Sequence, residues 1–142
     1  MNSRIVVLLA ALLLVAGCLS RSAEPTLYAE LGGHAGIERI VDAFIGNLAD
    51  DKRVAKSFAD TDIDAFRGHM IDQICALASG PCVYAGRSMS ESHRGLAIDA
   101  AMFNVVVADL MQAMESTQTP VAARNQLLGM LAPMYRDVVT RY

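Results

Sequence analysis

In GIERIVDAFIGNL, residues 36–48, the apolar side chains of Ile37, Ile40, Val41, Phe44, Ile45 and Leu48 recur at intervals of three and four. That spacing is the period of a helix with one buried stripe, and it is incompatible with the alternation of a half-buried strand. The rest of the chain repeats it. From about Asp62 to Ala78 a Thr61-Asp62 cap opens a second helix and Ser79-Gly80-Pro81 ends it. Ile98 and Asp99 read as hydrophobic staple and N-cap for a helix carrying Phe103, Val106, Val107, Leu110, Met111 and Met114. Thr119-Pro120 supplies an N-cap and first-position proline for a last helix. Its inner face is Leu127, Leu128, Leu131, Met134 and Val138, with Pro133 disturbing its middle. Four long helices with short connections predict an all-α domain.

The amino terminus is of another kind. Arg4 is followed by an apolar run from Ile5 to Gly17, too short to span a bilayer as a helix, so it reads as a secretory signal. Val15-Ala16-Gly17-Cys18 resembles the bacterial lipobox, which implies a signal peptide of residues 1–17, lipidation of Cys18, a tether over 18–26 and a folded domain over 27–142. Acyl chains contribute about 0.8 kcal/mol per buried methylene, enough with several chains for stable anchoring. Leu19 and Ser20 lack the aspartate that retains many such proteins at the inner membrane. The expected address is therefore the periplasmic face of a bacterial membrane, the outer one favoured. Eleven basic residues oppose fifteen acidic ones after Cys18, a net charge of about −4, which argues against a nucleic-acid partner. In that compartment Cys75 and Cys82 are compatible with a disulfide and with two thiols alike.

The segment GPCVYAGRSMSESHRGLAI, residues 80–98, allows at most a turn or two of helix around Met89–His93, and a small domain seldom keeps such a stretch unless it serves a site. His93 lies in it. On the second helix His69 adjoins the stripe Phe66, Met70 and Ile74. Alone, a histidine there reads as a core or surface residue. Two imidazoles on opposing segments suggest an ion or a haem between them. Zinc would need further ligands at short spacing, and neither the cysteines nor His34 supplies them. A flat apolar cofactor requiring only one or two axial nitrogens suits the inventory better.

LYAELGGHAGIERIVDAF, LADDKRVAKSFADTDI, YAGRSMSESHRGL and LLGMLAPMYRDVV occur in the order and spacing of the group I truncated haemoglobins, which the chain resembles from about Thr26 to Tyr142. The resemblance implies a two-over-two α-helical sandwich around one haem b, with His93 as proximal ligand to the iron and Phe58 packed on the haem face. The pocket wall is then assigned to Ile45, Phe58, Phe66, His69, Met70, Ile74, Met89, His93 and Phe103. His69 matches a position that binds the iron directly in some cyanobacterial members; the other role implied for it is an outward contact to a haem propionate. Arg67 and Arg87 are further propionate candidates or solvated surface residues. Met134 and Tyr135 stand where some relatives carry a haem-linked histidine, so no covalent link is expected.

The distal side departs from the family. Ile45 replaces the tyrosine of most oxygen-binding members, and Phe66 and Met70 stand where glutamine is common. The missing hydrogen bonds to bound dioxygen are worth on the order of 1.5–3 kcal/mol, which disfavours a slow-releasing oxygen store unless His69 is the donor. Ser79-Gly80 replaces a second glycine pair. The function implied is binding of a diatomic gas (O2, NO or CO) in the oxygen-binding and transport class. The alternatives are a nitric oxide dioxygenase or peroxide-detoxifying haem enzyme served by an unidentified reductase, and a bis-histidyl electron-transfer protein.

Overall fold

A computed structural model describes residues 24–140; the signal, Cys18 and most of the tether lie outside the described residues. Among the described residues every regular element is helical: α1 (Leu27–Glu30), α2 (Gly33–Asp50), a 3₁₀ turn (Ala55–Phe58), α3 (Ile63–Leu77), α4 (Met89–Ser92), α5 (Ala100–Ser116), α6 (Val121–Leu131), a second 3₁₀ turn (Ala132–Met134) and α7 (Tyr135–Val138). The caps act as the sequence indicates for two of the long helices. The Asp62 carboxylate accepts from the Ala65 N–H at 3.0 Å, and that of Asp99 from the Met102 N–H at 2.8 Å. The last helix starts one residue later than expected. Pro120, not Thr119, is the cap, its carbonyl accepting from the Arg124 N–H at 3.0 Å, while the Thr119 hydroxyl pairs with that of Thr117 at 3.2 Å. Pro133, lacking an N–H, falls in the 3₁₀ turn that separates α6 from α7.

α2 packs against α5 and α3, α3 also meets α6, and α1 lies on α6. The core between them is fully closed at Ile37, Ile40, Val41, Ile74, Met114 and Leu127. Gly36 permits the entry of α2: a Cβ there would lie 1.9 Å from the Leu31 carbonyl oxygen.

The end of α3 resolves two points the sequence leaves open. Its chain reversal is a Schellman motif, Ser79 N–H donating to Ala76 O and Gly80 N–H to Cys75 O. Ser79 takes the left-handed position, at φ 62°, where glycine is usual. Gly80 is required for a different reason. A Cβ there would meet the Tyr28 ring at 2.5 Å and Cys75 Sγ at 2.7 Å. Cys75 and Cys82 form a disulfide that pins the start of the irregular segment to the last turn of α3. That segment contains only the single turn α4, closed by a capping box between Ser88 and Glu91.

Candidate functional site

α3, the irregular segment and α5 enclose a cavity of about 760 Å³, within the usual range of roughly 300–1,000 Å³ for ligand and cofactor sites. From α3 it receives Phe66, His69, Met70 and Gln73; from the irregular segment Tyr84, Arg87, Met89, His93 and Leu96; and from α5 Met102, Phe103 and Val106, with Phe58 beside them. Phe58 and Phe66 pack with ring centroids 5.6 Å apart, and Phe103 meets Tyr135 edge-on at 4.9 Å. The walls are therefore aromatic and thioether-rich, while Arg87, Thr61 and Asp62 are polar members of the lining.

His93 is the C-cap of α4 and half-buried. Its Nδ1 lies 2.8 Å from the carbonyl oxygen of Met89. A carbonyl only accepts, so Nδ1 carries the proton and Nε2 of the neutral ring keeps its lone pair. The one-turn helix exists where the hydrogen bond needs it: Met89 and His93 stand at positions i and i+4, and the capping box fixes the turn.

His69 reaches the cavity from its exposed edge. Its ring is perpendicular to Tyr84, with centroids 6.3 Å apart. Tyr84 in turn donates its hydroxyl to the Arg87 carbonyl at 2.7 Å.

Seven of the nine residues assigned to the wall line the cavity, and Ile45 and Ile74 do not. Ile74 is fully buried in the core, and Ile45 packs, half-buried, against that same core. The reason is rotation. At 100° per residue Ile74 is turned about 80° from Phe66, and Ile45 about 80° from Ile37 at the centre of its stripe. Gln73, overlooked in the sequence, returns to within about 20° of Phe66. It is buried, and among the described residues its Nε2 reaches only the sulfurs of Met89 and Met134, at 3.5 and 3.6 Å. Arg67 also lies elsewhere. Its guanidinium bridges α3 to α2, donating to both Asp42 oxygens at 2.6 and 3.0 Å, and this pairing holds the Asp42 carboxyl below its ordinary range. His34 is on the surface, 3.6 Å from Glu38.

Among the described residues no three His, Cys, Asp or Glu side chains converge as a metal site. A flat, largely apolar macrocycle fits the walls, and the free nitrogen of His93 fits an axial ligand, so the residues present suit a haem.

Helices layered in this way, with a short turn presenting a histidine to an apolar cavity, define a globin of the shortened, two-over-two kind. Residues 26–140 match the model of the bacterial-like globin family. The group 1 truncated haemoglobin of Nostoc commune is 34% identical over 109 residues, covering 74% of this chain and 92% of that one. That of Mycolicibacterium paratuberculosis is 28% identical over 121 residues, covering 84% and 89%. The crystal structure of the Tetrahymena pyriformis truncated haemoglobin, Fe(III) form, superposes with a TM-score of 0.77 at 25% identity, covering 81% of this chain and 98% of that one. The chain belongs to the bacterial-like globin family, as a haem-binding truncated haemoglobin.

Proposed function

We propose that this globin binds a diatomic gas at the iron of a haem b held by Nε2 of His93. The observation that carries the reading is the hydrogen bond from His93 Nδ1–H to the Met89 carbonyl, which fixes the tautomer and the ring orientation together. Haem supplies the open metal position at which a gas binds. The chain would supply Nε2 of His93 as the iron's protein ligand, walls from Phe58, Phe66, Met70 and Phe103 that exclude water, and Arg87 as the cationic partner for a carboxylate edge. The name haemoglobin, shared by the relatives, supports the same reading.

His69 is the distal gate, a candidate sixth ligand or hydrogen-bond donor, because it is the histidine on the α3 side of the cavity. Were its imidazole to bind the iron of a bound haem, gas affinity would fall in proportion to the fraction of molecules left open to the gas. The lipobox motif supports a protein tethered through Cys18 to the periplasmic face of a membrane, where a reductase would return the iron to its ferrous state.

The deciding experiment compares haem stoichiometry and the Soret band of wild type, His93→Ala and His69→Ala. Full haem retention by His93→Ala would sink the proposal. His69→Ala should keep its haem and lose whatever low-spin, six-coordinate fraction the wild-type spectrum contains. Cys18→Ser should release the protein from membranes. Nitric oxide consumption sustained over many turnovers with a reductant would instead make the protein an enzyme.

A further inference from the structure

We infer that Tyr84, anchored by the Cys75–Cys82 disulfide, is the positioning residue that holds His69 at the rim of the cavity, and that reduction of this disulfide releases it. The inference rests on the haem reading above, because the sixth position is what His69 would turn toward.

Tyr84 is held at three points. Cys82, two residues before it, is bonded to Cys75, and Cys75 lies six residues beyond His69 on α3, a rise of about 9 Å. The chain from Cys82 thus runs back along α3 far enough for the Tyr84 ring to stand edge-on to His69, centroids 6.3 Å apart. The phenol is fixed at its far end by the 2.7 Å hydrogen bond to the Arg87 carbonyl. Gly86 completes the seat: a Cβ there would fall 2.5 Å from the ring. A side chain this constrained, in a segment otherwise nearly without regular structure, fixes its neighbour as well.

His69 is exposed on one side and faces the cavity on the other, so it can occupy the rim or turn inward. Tyr84 favours the rim, since an inward turn gives up the aromatic contact. Contacts of this type change such a balance by roughly two- to tenfold. The disulfide makes that balance redox-sensitive. A dithiol reductant attacks Cys82, the more accessible sulfur, through a mixed disulfide. The reductant's second thiol then resolves this intermediate. The two electrons and two protons of the dithiol end on Cys75 and Cys82 as thiols, and the reductant leaves as its own disulfide. The strap then loses its anchor to α3.

The test measures the ratio of six- to five-coordinate haem by absorption spectroscopy in the holoprotein. Tyr84→Ala, Cys82→Ser and the dithiothreitol-treated wild type should each show that ratio, taken over the bound haem alone, raised roughly two- to tenfold. Adding His69→Ala to each should abolish the rise, and Tyr84→Phe, which keeps the ring, should fall between. If Cys82→Ser proves too unstable to purify, Tyr84→Ala and Gly86→Ala, which displaces the ring without touching the bridge, decide the matter. An unchanged ratio in Tyr84→Ala at full haem content, with His69→Ala still altering the spectrum, overturns the strap and leaves the haem reading standing. Absence of haem from wild type overturns both.

Discussion

Replacing Asp109 by asparagine should stabilise this protein at neutral pH. Asp109 is on α5, only 5% exposed, and its Oδ2 has no hydrogen-bond partner among the described residues. Burial pushes its carboxyl above the ordinary carboxylate range; the negative charge of Asp51 adds to this, and Arg53 opposes it. An unsatisfied buried polar group costs about 1–3 kcal/mol, and with Arg53 offsetting part of it a cost of about 1–2 kcal/mol remains for the ionised form. The sign follows from linkage. A folded-state pKa above the unfolded one means that the native protein binds this proton more tightly, so the cost is full above the folded pKa and fades as pH falls toward the unfolded value. Asp109→Asn, which cannot ionise, should therefore raise the urea midpoint by the equivalent of about 1–2 kcal/mol near pH 7 and by almost nothing near pH 3. Unfolding followed by circular dichroism at matched haem loading measures both. A variant no more stable than wild type at neutral pH, or a gain of the same size at both pH values, would refute the reasoning.

Ser79→Gly relieves a left-handed serine and should stabilise by about 0.5–1 kcal/mol, after allowing for the greater unfolded-state freedom of glycine; thermal unfolding reads the gain. Reduction of the Cys75–Cys82 bridge by a phosphine should lower stability, read from the urea midpoint, by about 2.5 kcal/mol, the chain-entropy value for a loop of about eight residues. Gly36→Ala should destabilise by at least about 2 kcal/mol, because the new methyl meets a backbone oxygen that cannot move without unseating α1; a normal midpoint would contradict the packing. Arg67→Ala removes only an exposed ion pair, so its cost should stay below about 1 kcal/mol and shrink with salt, while the Asp42 carboxyl, followed by NMR, titrates at a higher pH than in wild type.

The sequence by itself determined the four long helices, the caps at Asp62 and Asp99, a disturbance at Pro133 and a limit of a turn or two of helix around Met89–His93. Each of these depends on residues within one or two turns of each other, and short-range sterics and hydrogen bonding decide them. The motifs also carried the family, because its characteristic segments keep a fixed order along the chain, and they singled out the two histidines as candidates. Only the tertiary structure decided which side of each helix meets the cavity. On α3 Ile74 differs from Phe66 and Gln73 by a fraction of a turn, as Ile45 does from Ile37 on α2, and the rotation of a helix about its axis is set by all its neighbours at once. The disulfide, the Arg67–Asp42 bridge and the approach of Tyr84 to His69 likewise depend on how distant segments close on each other, a matter of packing that no local stretch encodes.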